Sequence, residues 1–181
     1  MKLMIASDIH GSAYYCERLM KRFHEEKPDK LLLLGDILYH GPRNDLPKGY
    51  APKKVVEMLN SIKDCTLSVR GNCEAEVDQV VLEFPIMADY TILNVNGITI
   101  TATHGHTYNQ KKPLPFCNEI LLCGHTHVPA CEIFEKFTYL NPGSVSMPKN
   151  DTKHSYMILE DRTFVWKDLM TSKKYAECTV K

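Results

Sequence analysis

The sequence predicts an α/β fold, a four-layer α-β-β-α sandwich in which two mixed β-sheets pack face to face with helices outside. Two observations carry that expectation. Over residues 3–69, short apolar runs alternate with helical stripes, the pattern of a β-α-β-α-β unit with parallel strands and right-handed crossovers. From residue 90 onward the stripes give way to closely spaced strand patterns joined by short turns, where antiparallel pairing should dominate.

Each element has its own cause. Residues 3–6, Leu-Met-Ile-Ala, form the continuous apolar run of a buried strand. Ser12 is placed to cap a helix whose Cys16, Leu19, Met20 and Phe23 recur at i, i+3, i+4 and i+7 on one face. Lys27-Pro28-Asp29 ends that helix, and residues 31–34, all leucine, give a second strand. A polar loop with prolines at 42, 47 and 52 follows. Pro52 suits the first position of a helix carrying Val55, Leu59 and Ile62, and residues 66–69 form a third strand. Residues 90–95 and 98–103 flank Asn96-Gly97, a pair that accepts the two positive φ angles of a tight hairpin turn. Residues 119–123, 131–134, 137–140, 156–159 and 164–166 complete the strands.

The 181 residues suit a single domain, residues 1–181, able to bury about 70% of its unfolded surface without disulfides or a structural metal. With 22 basic and 22 acidic residues the chain lacks the positive excess that broad nucleic-acid binding requires, although local charge can still favour a small anion. A hydrophobic fraction of 44% beside 24% charged residues excludes a disordered chain, and no run approaches the ~20 apolar residues of a membrane span. The seven cysteines include no Cys-x-x-Cys and mostly sit in apolar runs, as reduced residues do. Asp8 interrupts the N-terminal apolar run before a signal peptide forms, so a cytoplasmic location is expected, with no membrane partner. A homo-oligomer is left open.

Chemically capable residues stand at the strand ends. Asp8-Ile9-His10 follows the first strand, Gly35-Asp36 the second and Gly71-Asn72 the third. His104-Gly105-His106 follows the hairpin strand, and Gly124-His125-Thr126-His127 the next. Ligands of α/β sheets gather beyond the carboxyl ends of strands, so these groups can converge on one crevice. Asp8 and His10, like His125 and His127, are two residues apart, which in extended backbone puts both side chains on one face. Gly35, Gly71 and Gly124 precede candidate ligands, where a missing Cβ permits a sharp turn or a close approach. The donors Asp8, His10, Asp36, Asn72, His104, His125 and His127 exceed what one catalytic zinc needs. They suit two divalent ions about 3.5–4 Å apart sharing a carboxylate, and their imidazoles disfavour an all-oxygen magnesium or calcium cage.

In this order the five blocks resemble those of the calcineurin-like metallophosphoesterases. The blocks span residues 8–127. His-Gly-Pro-Arg-Asn from His40, Gly-Asn-Cys-Glu from Gly71 and Asn-Pro-Gly-Ser-Val-Ser from Asn141 extend the likeness over nearly the whole chain, toward the small bacterial phosphodiesterases of that family. The resemblance implies one ion held by Asp8, His10 and His127, another by Asn72, His104 and His125, and Asp36 bridging them. It implies a phosphoric diester hydrolase with two divalent ions per subunit, manganese first and zinc, iron or nickel as alternatives. A metal-bridging hydroxide would then attack the phosphorus of a small phosphodiester in line with the leaving oxygen. Two divalent ions, two carboxylates and a hydroxide sum to about +1, which attracts a monoanion although the chain is neutral. Asp36, Asn72, Cys73 and His106 are the implied catalytic residues, and Asn72, Cys73, His106 and Arg43 the expected substrate contacts. Much of the family has a histidine general acid where Cys73 stands. A thiol of pKa about 8.5 is a different acid, so leaving-group protonation is expected to be weaker here, or supplied by His106.

Blander readings compete with each fragment. Gly-Asp and Gly-Asn are common turns, but seven such coincidences at strand ends are needed to dismiss the site. Cys73 as a covalent nucleophile would leave the ligand set unexplained. Ser144 in Pro-Gly-Ser lacks the elbow of a hydrolase nucleophile and reads as a structural turn. Glu74, Glu76 and Asp78 read as the solvated start of a helix, and His24, His40 and His154 have no partner pattern. Two other functions remain. The retromer scaffold subunit resembles this fold and binds proteins, but its pattern loses the first-block histidine and alters the Gly-Asn block, whereas His10 and Asn72 stand here. A nuclease would want a basic groove, for which a neutral chain of this length has little room.

Overall fold

The central strands are buried on both faces, and the alternation of their side chains between two cores decides the layering. The computed structural model describes residues 1–180. In chain order it contains β1 (Leu3–Ala6), α1 (Ala13–Glu26), β2 (Lys30–Leu33), α2 (Pro52–Asn60), a 3-10 turn (Lys63–Cys65), β3 (Thr66–Ser68) and α3 (Glu76–Val81). Then come β4 (Tyr90–Val95), β5 (Ile98–Thr103), β6 (Ile120–Leu122), β7 (Ala130–Ile133), β8 (Thr138–Asn141), β9 (Ser155–Glu160), β10 (Thr163–Asp168) and β11 (Lys174–Thr179). One sheet has the order β11-β10-β9-β1-β2-β3, the other β4-β5-β6-β8-β7. Both are mixed: β1, β2 and β3 run parallel with β9 antiparallel to β1, and β5, β6 and β8 run parallel between antiparallel β4 and β7.

Alternate residues of one strand serve two cores. Met4, Ala6, Leu31 and Leu33 pack beneath α1 and α2, against Cys16, Leu19, Phe23, Val55 and Leu59. Leu3, Ile5, Leu32 and Leu34 point the other way, into the space between the sheets, where they meet Ile98, Ile100, Ile120 and Leu122. The outer face of the five-stranded sheet, with Leu121, Cys123 and Tyr139, is roofed by Leu114 and Cys117 of the β5–β6 loop. The helical layer therefore lies on the six-stranded sheet, and a loop forms the outer layer of the other.

Local signals act as their chemistry dictates. Ser12 Oγ accepts the Tyr15 N–H at 3.2 Å to cap α1, and Pro52 opens α2. Asn96 and Gly97 turn the β4–β5 hairpin with φ of 54° and 76°. The sequence reading missed β11, most of whose residues are exposed, leaving little buried pattern to find. Among the described residues no helix is long and apolar enough to cross a membrane.

Candidate metal centre

The chain leaves β1, β2, β3, β5 and β6 into loops that meet at one place, and all seven candidate ligands lie there. The expectation of extended backbone at Asp8–His10 and His125–His127 is overturned. Asp8, His10, Asp36, His125 and His127 have φ of 58°, 49°, 54°, 66° and 62°, in the left-handed region. Such a conformation costs a non-glycine residue on the order of 1 kcal/mol and persists where surrounding structure imposes it. Here the Asp8 carbonyl accepts Ser144 Oγ at 2.9 Å and Ser146 Oγ at 3.0 Å, and the His10 N–H donates to the Asp36 carbonyl at 2.8 Å. Left-handed turns, not strand alternation, bring the paired side chains together. Ser144 is structural as expected, and its hydrogen bond shows what it holds.

The side chains form one linked cluster. His127 Nε2 lies 3.2 Å from His10 Nε2 and 3.2 Å from Asp8 Oδ1. Asp36 Oδ2 stands 3.7 Å from His10 Nε2 and 3.5 Å from His104 Nε2, between the two histidines. His104 Nε2 is in turn 3.2 Å from Asn72 Oδ1 and 3.2 Å from His125 Nδ1. Ligand atoms of Asp8, His10 and His127 lie within 4.8 Å of one another, as do those of Asp8, Asp36 and His104, and of His10, Asp36 and Cys73.

The outer hydrogen bonds decide what these atoms offer. His10, His104 and His127 each direct Nδ1 at a backbone carbonyl, of Tyr39 (2.8 Å), Leu34 (2.6 Å) and Met147 (2.6 Å) respectively. A carbonyl only accepts, so Nδ1 carries a proton and Nε2 is the nitrogen turned inward, presenting a lone pair whenever the ring is neutral. With neutral rings, lone pairs would face lone pairs at 3.2 Å, and Asp8 Oδ1 would be buried without a donor. Only a proton or a cation relieves that arrangement, and this nitrogen-and-oxygen donor set fits a divalent metal ion. Burial opposes ionisation of Asp8, yet His10 and His127 hold its carboxyl well below the usual range. Burial likewise opposes charge on His104, but Asp36 and Asp8 outweigh it and raise its pKa to about 9. Burial and the neighbouring His104 push His125 down to about 4.

Glu74 was read as solvated, and the structure corrects this. It is 5% exposed, and its carboxylate accepts the N–H groups of Asp36 (2.9 Å), Ile37 (2.7 Å) and Gly71 (2.5 Å), clamping the loops after β2 and β3 together. Asp78 does start α3, its Oδ2 accepting the Ala75 N–H. Gly71 must be glycine, because a Cβ there would collide with the Asp36 carboxylate and with Glu74 Oε2. Gly124 is similarly pressed against Ser7 and Asp8 Oδ2.

The remaining predicted residues fall around the rim. Cys73 donates its N–H to Asp36 Oδ1 at 2.9 Å, and burial together with Asp36 pushes its thiol pKa up, which favours the protonated form over a nucleophilic thiolate. His106 is exposed, with ring centroids 5.4 Å from His104 and 6.2 Å from His125. Arg43 is exposed and lines a cleft of about 470 Å³ that opens onto His10, Asp36, Asn72 and His127. Lys149 and Thr126 line the same cleft. Neither was found from sequence, where each is an unremarkable loop residue. His154 stacks on Tyr15 and hydrogen-bonds Val145 O, away from the cluster.

Similarity to known proteins agrees with the geometry. The chain is 45% identical over 162 residues to phosphodiesterase YfcE of Escherichia coli strain K12, covering 89% of this chain and 88% of that protein. A solved structure of E. coli YfcE superposes with a TM-score of 0.96 at 41% identity, covering 100% of both chains. Vps29 of Cryptosporidium parvum shares the fold at a TM-score of 0.65 and 19% identity, covering 98% of this chain and 97% of that one. The model of the calcineurin-like phosphoesterase superfamily domain matches residues 1–163. A cluster of inward-facing nitrogen and oxygen donors at five strand ends and a family match over most of the length lead to one conclusion: the chain belongs to the calcineurin-like phosphoesterase superfamily, as a metallophosphoesterase.

Proposed function

We propose that this protein is a phosphodiesterase acting on a small phosphodiester, with two divalent cations, manganese first, held by Asp8, His10, Asp36, Asn72, His104, His125 and His127. The observation that carries the reading is the convergence of inward-turned imidazole Nε2 atoms and buried carboxylate oxygens at 3.2–3.7 Å. Cations bound there supply Lewis-acid polarisation of phosphoryl oxygens and a lowered pKa for water. The chain's own groups do the rest. Backbone carbonyls of Tyr39, Leu34 and Met147 orient the histidines, and Asp36 spans the two halves of the cluster. Arg43 and Lys149 put positive charge on the cleft, suited to a phosphodiester anion. Cys73 and His106 stand nearest the cluster among the remaining candidates for leaving-group contact. Seven free cysteines, three of them buried, support a reducing, cytoplasmic setting.

Metal-stripped protein reloaded with Mn²⁺ should hydrolyse bis-p-nitrophenyl phosphate faster than p-nitrophenyl phosphate. An Asp36→Asn variant should lose about a hundredfold or more. Absence of turnover in protein shown to hold two metals would reject the enzyme reading and favour the scaffold alternative. Faster cleavage of single-stranded DNA than of small diesters would favour the nuclease.

A further inference from the structure

The cleft beside the cluster is only one of two cavities that open there. A trough of about 690 Å³ adjoins it, lined by Leu38, Tyr39, Tyr50, Val56, Val77 and Val81, and Cys73 borders both cavities. Tyr39 links the two as well. Its backbone carbonyl orients His10, while the residue, 40% exposed, forms part of the trough wall. The wall is braced, because the rings of Tyr39 and Tyr50 stand edge-on to His40 at 4.7 Å and 5.3 Å between centroids.

The opposite wall is α3, which buries none of its residues and leaves Val77 66% and Val81 44% exposed. Scattered apolar side chains on a surface need no explanation, but an apolar trough that meets the cleft of a candidate reactive centre at Cys73 is where the apolar part of a ligand can lie. The two sides of the centre thus differ in chemistry. Arg43, Asn44 and Lys149 surround the cleft, whereas charge in the trough is confined to Lys53, Glu57 and Asp78 beside its apolar lining.

We propose that this trough is the subsite for one ester arm of the substrate, and that this arm is an uncharged, apolar alkyl or aryl group, while a polar second arm remains over the cleft. The inference rests on the phosphodiesterase reading and narrows its substrate to asymmetric diesters. Each methylene buried in the trough strengthens binding by up to about fourfold.

Two measurements test it. The first is kcat/KM for p-nitrophenyl methyl, butyl and octyl phosphates, which share one leaving group, on manganese-loaded protein. From methyl to octyl, kcat/KM should rise at least about tenfold, mainly through KM. The doubly substituted Val77→Asp, Val81→Asp protein should lose that dependence, each rate being taken relative to the methyl ester of the same variant. Equal values along the series would overturn the subsite while leaving the phosphodiesterase reading intact. The second is calorimetric binding of unreactive octyl and methyl esters of methylphosphonic acid. If no diester is turned over, the phosphodiesterase reading fails, and this affinity ratio still decides the trough: tighter octyl binding supports it, equal binding overturns it. A concentration-dependent dimer abolished by the same substitutions, together with a flat series, would assign the trough to a second copy of the chain and overturn the inference.

Discussion

Glu74 and Asp36 differ little as residue types, yet Asp36 turns Oδ2 inward to the cluster while Glu74 spends both oxygens on backbone N–H groups. Replacing Glu74 by alanine leaves three buried donors unpaired, at a cost on the order of 3 kcal/mol or more. It also frees the Asp36 loop. Urea unfolding of Glu74→Ala should therefore show a midpoint well below the parent, and manganese titration a weakened affinity. Unchanged affinity in folded variant protein would show that Glu74 supports the fold alone. The candidate ligands were legible because aspartate, asparagine and histidine at successive strand ends are chemically unusual together. Glu74 was not, since a buried acceptor and a solvated acid are spelled the same way. Nor were the left-handed angles at Asp8, His10, Asp36, His125 and His127, which arise from tertiary hydrogen bonds such as those of Ser144 and Ser146.

At the scale of elements, the last turn of α1 is pinned to the sheet by Glu26. Its carboxylate pairs with Lys167 of β10, accepts the Tyr156 hydroxyl of β9 at 3.1 Å and meets Lys2 at 3.3 Å. Burial opposes its ionisation, but Lys167, Lys2 and Tyr156 prevail and lower its pKa. A carboxyl with a lowered folded-state pKa stabilises the fold above its unfolded value of about 4.3, and that contribution is lost as the pH falls through the folded value. Glu26→Gln should thus cost about 1–2 kcal/mol at pH 7. The gap from the parent should close as thermal unfolding is repeated below pH 4, and a gap independent of pH would point to packing instead. The stripes of α1 and α2 and the Asn96-Gly97 turn were legible because their periods and residue types are local. β11 was not. Its pairing with β10 supplies backbone hydrogen bonds that any sequence can make, while its side chains bury little.

Across the whole molecule, the candidate ligands come from strand ends in both sheets, so a cation bound there ties the two sheets together and binds the folded state in preference to the unfolded one. At a hundred times its dissociation constant, such a ligand adds about 2.7 kcal/mol, which for a chain of this size raises Tm by roughly 5–10 °C. Scanning calorimetry with manganese and then with EDTA should show that rise and its reversal. A Tm indifferent to both would argue against metal at this site. The position of β1 carries a different consequence. It is the first strand in the order of the described elements and sits at the middle of its sheet, beside β9, which begins at Ser155. A nascent chain emerging from the ribosome holds every candidate ligand by His127, but it still lacks β9 and the two serines that set the Asp8 turn. Contacts of such long sequence separation form late. Cation loading at the proposed site would thereby be deferred until β9 has been made, and a product truncated before it would keep the candidate ligands without the means to arrange them.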